Sequence, residues 1–325
     1  MLNGDESGSH RCKGMKILAP YGSIMTTLPR ADPTSFVSFL SSLLELDDQV
    51  LCLANPLPYT VRLCISSTIT KCFGLSRCIE LGSTSFSTVQ RIHLGGLSIG
   101  FERPRTIFDV GNALFIEIDD HEHFIAIALN SMHVNALLHE GLEELDDGEC
   151  VVTNYVGIEK HNKARILSLS STQPFEVCKP NERTLHVFFD NSSTVVISET
   201  PLESLRIAQV LNALLRIPQP RVSMPLVELL DKVVIVEEVS FYSNVVSMKL
   251  RNVLPVPSNA MLRVYGFVDY VRIGNERFDN PKPTISIAVA PRASLFIEMR
   301  VLRIEPELYE LKKRVLSNLA EPSHY

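Results

Sequence analysis

No stretch of the 325-residue chain approaches the roughly 18 to 20 consecutive apolar residues that a membrane-crossing helix needs. The longest candidates, such as Phe124 to Leu129, are strand-sized, so a soluble protein without a membrane span is expected. The beginning, MLNGDESGSHRCKG, lacks the basic patch and apolar stretch of a secretory signal peptide. Residues 1–30 are therefore expected to form a flexible N-terminal segment, and the protein to be intracellular, cytoplasmic or nuclear.

Cysteine is sparse and poorly spaced for a framework. There are seven (Cys12, Cys52, Cys64, Cys72, Cys78, Cys150, Cys178), an odd number, and none forms a C-x-x-C knuckle. Disulfides and structural zinc are not expected; small buried hydrophobes in a reducing compartment are. Lys and Arg are missing over one long stretch: Glu117 to Glu149 holds ten acidic residues and no basic one. That segment carries −10, so the rest of the chain carries −6 − (−10) = +4.

What is present is a folded composition, 45% hydrophobic and 21% charged. A helix is predicted over 33–46, with Asp32 as cap, Pro33 in the first turn and Phe36, Phe39, Leu40, Leu43 and Leu44 on one side. Strands follow at Val50 to Ala54 and Thr60 to Ser66. The segment from Asn112 to Leu145 reads as two apolar strands around a polar turn running into a helix over Ser131 to Leu145, with Val134, Leu137, Leu138, Leu142 and Leu145 on one face. A similar pattern recurs 71 residues on: strands at Leu185 to Phe189 and Thr194 to Ser198, then a helix with a Thr200/Glu203 capping box. The recurrence is compatible with duplication or with two ordinary units.

Pro218, Pro220 and Pro225 mark a boundary at 218–223. Beyond it, a short helix is predicted over Pro225 to Lys232, strands at 233–242, 245–252, 261–273, 284–290 and 295–304, and a final helix after Glu305-Pro306. Strands in runs argue for an α+β class: β-rich, mainly antiparallel sheets with hairpin-helix units and a C-terminal helix. The expected organisation is the segment 1–30, an α+β domain over 31–217 with two hairpin-helix units, and a β-rich domain over 218–325 ending in a helix.

Three motifs raise chemistry. Gly96-Leu97-Ser98-Ile99-Gly100 matches the G-x-S-x-G nucleophile elbow, and Asp109, Asp119 and His133 fit a triad order. The elbow requires a helix directly after the serine, and FERPRTIFDV has no helical period, so Ser98 is read as a turn or strand residue. His121 and His123 in DDHEH would share one face of a strand, a possible pair of metal ligands. The cupin-type H-x-H pattern has a glutamate shortly after, which the apolar run Phe124 to Leu129 replaces, so the metal reading is an alternative to a solvated hairpin tip. In MLRVYGFVDYVRI, Tyr265, Phe267 and Tyr270 interleave with Arg263 and Arg272. From Met261 to Arg314 there are ten Lys/Arg against seven Asp/Glu. An OB-type barrel binding single strands by stacking would look like this.

The reading that survives is a non-catalytic interaction or assembly subunit of a larger complex, with no cofactor expected. Glu140, Glu143, Glu144, Asp146 and Asp147, at the end of the predicted helix, form the docking surface for a basic protein partner, because a helix C-terminus disfavours carboxylates. A nucleic-acid-associated subunit, clamp-like or OB-like, using Arg263, Tyr265, Phe267, Tyr270 and Arg272, is the alternative. A metal-dependent enzyme or serine hydrolase comes after it. The sequence fixes no oligomeric state.

Overall fold

The computed structural model describes residues 28–59, 132–160, 166–190, 195–198, 201–220, 226–231 and 233–303. It also gives the backbone of short strands between positions 16 and 129 and a few residues beyond 306. Asp32 caps the first helix as expected, its carboxylate accepting from the Ser35 N–H at 2.7 Å. Phe36, Phe39, Leu40 and Leu43 are buried on one side of that helix.

In chain order the elements are β1 (Lys16–Ile17), α1 (Pro33–Leu43), β2 (Leu46–Asn55), β3 (Val61–Ile65), β4 (Thr68–Cys72), β5 (Ser76–Leu81), β6 (Ile92–Leu94), β7 (Leu97–Ile99) and β8 (Phe108–Asp109). Next come β9 (Ala113–Asp119), β10 (Glu122–Ala128), β11 (Met132–Leu138), β12 (Gly141–Glu144), β13 (Glu149–Lys160), β14 (Ile166–Asn181), β15 (Thr184–Asp190) and β16 (Val195–Ser198). α2 (Glu203–Ala213), β17 (Leu215–Pro220) and β18 (Val227–Leu229) lead to the last group. That group is β19 (Val234–Tyr242), β20 (Val245–Asn252), β21 (Ser258–Val264), β22 (Val268–Ile273), β23 (Glu276–Asp279), β24 (Thr284–Val289) and β25 (Ser294–Val301).

The chain is β-rich and almost wholly antiparallel. A ten-stranded sheet runs β12-β11-β13-β14-β15-β10-β9-β8, with β1 parallel beside β13 and β16 beside β14. A three-stranded sheet runs β17-β2-β5. After α2, a three-stranded sheet β18-β21-β24 and a five-stranded sheet β19-β20-β25-β22-β23 bury their inner faces in one hydrophobic core. That core also takes in α1, α2 and β2, so residues before and after position 218 share it. At its centre Phe36 and Phe39 pack on Phe241, with ring centroids 4.8 and 5.0 Å away. A second cluster covers the other face of the ten-stranded sheet, drawing on Val134, Ala136, Val151, Val156, Phe175 and Val187.

The structure departs from the sequence expectations where strands are buried on both sides. Ser131 to Leu145 is not a helix; its described residues form the hairpin β11–β12. Val134, Ala136 and Leu138 face one cluster while Leu137 and Leu142 face the other, and the two sets superimposed imitate a helical period. Gly141 closes the turn at φ +134°, and its missing Cβ would lie 2.7 Å from the Val253 carbonyl oxygen, a conformation and a space that only glycine fits. β15 and β16 are not a hairpin but successive segments laid along β14. Neither hairpin-helix unit is therefore formed as expected: β9–β10 is a hairpin followed by a strand, and α2 follows two segments on one partner strand.

Other differences are smaller. α2 begins behind Leu202, which has φ 58° and no side-chain cap, and Thr200 lies outside the described residues. Pro225 to Lys232 contains β18 instead of a helix. The single strand expected over 261–273 is two, because the chain leaves β21 at Tyr265-Gly266-Phe267 and crosses to the other sheet as β22. Past Pro306, helical backbone is described only at Glu307, Leu308 and Leu311. Cys150 and Cys178, opposite each other on β13 and β14, are joined as a disulfide that the cysteine count did not suggest.

Candidate interaction site

The predicted acidic residues do come together, but on a sheet edge. Glu140 sits in the β11–β12 turn, Glu143 and Glu144 lie on β12, and Asp146 and Asp147 follow before β13. All but Glu143 are exposed. Three have cationic or imidazole partners: Glu144 Oε1 is 2.5 Å from His133 Nδ1, Asp147 is 3.1 Å from Lys179 Nζ, and Glu140 is 4.0 Å from Arg292. The helix-terminus argument for their cost falls with the helix. Beyond β12, the Leu142 N–H donates to the Val253 carbonyl at 2.9 Å, tying the edge to the loop after β20.

The aromatic and basic residues of the alternative are divided between two sheets. Arg263 is on β21 and Tyr265 follows it; the Tyr265 hydroxyl donates to Glu228 Oε2 at 2.9 Å and lies 3.4 Å from the Arg263 guanidinium. Burial pushes the Tyr265 hydroxyl pKa up. Tyr270 and Arg272 are on β22, both engaging Glu298 of β25, at 2.9 and 3.8 Å. The Glu298 hydrogen bond raises the Tyr270 pKa. Arg277 stacks 4.1 Å above the Tyr270 ring. Phe267 lies in the crossover between the sheets and is half-buried. These five residues do not form one stacking platform.

Strand register builds a different surface, whose cross-strand rows no single strand's sequence specifies. On the outward face of the five-stranded sheet one row runs Tyr242, Val245, Arg300, Tyr270, Asp279. The next runs Ser240, Ser247, Glu298, Arg272, Arg277, and a third Glu238, Lys249, Phe296. Tyr242 is 73% exposed and Phe296 58%, unusual for large apolar side chains on ordered strands. Alternation in β25 signalled this face: Ile297, Met299 and Val301 are buried, while Phe296 and Arg300 point out.

Beside that face lies an open cleft of about 790 Å³, bounded by Arg30, Gln173, Asn212 and the β19 bulge at Glu237. Glu237 is buried and fully engaged: Arg251 Nη1 at 3.0 Å, Lys249 Nζ at 3.1 Å and the Ser294 hydroxyl at 2.7 Å. Arg251 also donates to the His139 carbonyl, so the network spans from the C-terminal strands to the β11–β12 turn. Burial pushes the Glu237 carboxyl up, but the hydrogen bonds from Ser294, Lys249 and Arg251 outweigh it and hold the pKa below the usual carboxylate range.

The remaining motifs are placed by backbone alone. Ser98 is within β7, opposite His93 on β6, in a two-stranded hairpin. His123 is on β10 opposite Ile118 and Phe189, and His121 lies outside the described residues. Among the described residues no helix is long and apolar enough to cross a membrane. No protein-family model matches the chain, and no curated protein is similar to it in sequence.

Proposed function

We propose that this protein is a non-catalytic subunit of a larger assembly, docking a partner protein across the outward face of the five-stranded sheet, with the acidic rim of β12 as a charged contact. The observation that carries this reading is the pair Tyr242 and Phe296, exposed on a face whose charged neighbours are largely paired with one another. A flat, ordered surface with exposed aromatic anchors and a satisfied polar surround has the composition of a protein interface. The carboxylates of Glu143 and Asp146, which have no cationic partner among the described residues, favour a partner with a basic surface, acting mainly through steering.

The same face speaks against nucleic acid. Its outward ionic groups are Lys249, Arg272, Arg277 and Arg300 against Glu238, Asp279 and Glu298, together with Asp269, which pairs with Arg300 at 3.6 Å, four to four, a net of zero. Phosphate binding by counterion release needs an excess of cations. The test is affinity capture from the native source with wild-type protein and with Tyr242→Ser/Phe296→Ser. A stoichiometric protein partner, lost in the double variant while its melt is unchanged, is the expected result. Salt-sensitive retention on single-stranded DNA or RNA, with no protein partner, overturns the proposal in favour of the nucleic-acid subunit.

A further inference from the structure

Two buried sulfurs and a carboxylate converge on the ten-stranded sheet. Cys150 on β13 is in register with Cys178 on β14, and Cys178 with His186 on β15, so the three project from one face. Glu176, two residues before Cys178, projects from that face as well. One ligand atom each from Cys150, Glu176 and Cys178 lie within 4.8 Å of one another, and Cys178 Sγ is 3.6 Å from Glu176 Oε1. Both cysteines are 1% exposed, whereas Glu176 is half-buried, so the carboxylate forms the open side of the cluster.

An oxidised sulfur carries no proton, so it offers Glu176 no hydrogen bond. Once the bond is reduced, the same three groups make a soft, anionic donor set: two thiolates and a carboxylate, with a fourth position on the open side. Around a tetrahedral Zn²⁺, donors at about 2.3 Å from the ion stand roughly 3.8 Å apart. Opening the S–S bond and turning the two cysteine side chains is the movement required.

We infer that in its dithiol form the protein binds a thiophilic divalent cation, of which Zn²⁺ is the type, through Cys150 Sγ, Cys178 Sγ and the Glu176 carboxylate. Disulfide and metal site are then alternative states of the same two sulfurs. Two equivalents of a thiol reductant deliver two electrons and two protons, become a disulfide themselves, and leave two cysteine thiols. Binding Zn²⁺ displaces both thiol protons to solvent and forms two Zn–S bonds.

The experiment uses the full chain, reduced with a thiol that is then removed under anaerobic conditions, and titrated with Zn²⁺ against a chromophoric chelator. Co²⁺ serves as the spectroscopic probe. Reduced wild type should take up one equivalent more than Cys150→Ala/Cys178→Ala, in which the other five cysteines are unchanged, and should show a thiolate-to-cobalt charge-transfer band that the variant lacks. The disulfide form should take up no such equivalent. Glu176→Gln keeps both sulfurs and a half-buried position, so it reports even where the double variant fails to fold; it should weaken binding by about tenfold or more. Equal uptake by the reduced and disulfide forms of the wild type, or Co²⁺ uptake without the charge-transfer band, overturns the inference.

Discussion

Removing the Glu237 charge tests how the C-terminal strands are tied to the β11–β12 turn. In Glu237→Gln the carboxylate is lost while Arg251 stays buried, its side chain 7% exposed. Stripping one partner from a buried ion pair costs about 3–5 kcal/mol, mostly as the penalty on the charge left behind. Two features place this case at the lower end, near 3 kcal/mol: Arg251 keeps the His139 carbonyl, and Lys249, at 25% exposure, can turn to water. Ser294→Ala removes one hydrogen bond to the charged group and should cost about 1.5–3 kcal/mol. Replacing both members of the pair, Glu237→Leu with Arg251→Met, should cost much less than the sum of the single changes, since no buried charge is orphaned. The pH dependence has a fixed sign. The folded-state pKa of Glu237 is lowered, so its contribution is present above the unfolded value of about 4.3 and is lost as pH falls through the folded value. Urea unfolding at pH 7 and at acid pH measures both effects. A Glu237→Gln midpoint indistinguishable from wild type at pH 7, or a difference between the two proteins that does not shrink in acid, would refute the reasoning.

Four further variants have defined expected outcomes. Phe36→Ala empties a fully buried site against Phe241 and should cost about 3–5 kcal/mol in a urea melt. Tyr59→Phe removes the hydroxyl that accepts from the Val236 N–H and should cost about 1–3 kcal/mol by leaving that buried group unpaired. Burial pushes the Tyr59 hydroxyl up to about 12, against the pull of Arg206, so stability should fall as pH rises from about 10 towards 12, and the Phe variant should lose part of that slope. Gly141→Ala forces a Cβ to 2.7 Å from the Val253 carbonyl at φ +134°, and a melt should show a loss of at least about 1–3 kcal/mol. Glu143→Gln/Glu144→Gln should move stability by less than about 0.5 kcal/mol, because the Glu144–His133 pair is half exposed. With a partner in hand, the same variant should slow association and flatten its salt dependence, as read by stopped-flow at two ionic strengths.

Legibility followed the number of neighbours that decide a residue's fate. α1 was readable because its cap, its proline and its one buried stripe are local, and one face alone meets the core. β25 was readable for the matching reason: one face is buried and the other is not, so a period of two survives. β11 failed because hydrophobic clusters lie against both of its faces, which erases the alternation that distinguishes strand from helix. β15 and β16 were legible as strands, yet their arrangement was not. Whether two strands pair with each other or both lie on a third depends on β14, whose length no local pattern announces. The Cys150–Cys178 juxtaposition belongs to the same class, since a separation of 28 residues becomes a cross-strand pair only through the register of β13 on β14.

The acidic segment shows how a correct count can acquire a different physical meaning. Ten acidic residues without a cation were visible in the sequence, and four of them, Glu143, Glu144, Asp146 and Asp147, would weaken the isolated fold at a helix C-terminus. On and just after β12 these four act otherwise. An edge strand offers unpaired backbone groups that invite another edge, and charge along it makes two copies repel. Leu142, between the turn and Glu143, is the β12 residue whose N–H is already spent on Val253. Carboxylates at 143, 144, 146 and 147 then guard the stretch that follows it. If the rim docks a basic partner as proposed, the charges that repel a second acidic edge are the ones that attract it, and no stability loss need accompany that selectivity. For the proposed interaction, binding and stability, which a helix terminus would have set against each other, are then expected to vary independently, with selectivity coming from the partners that the rim repels.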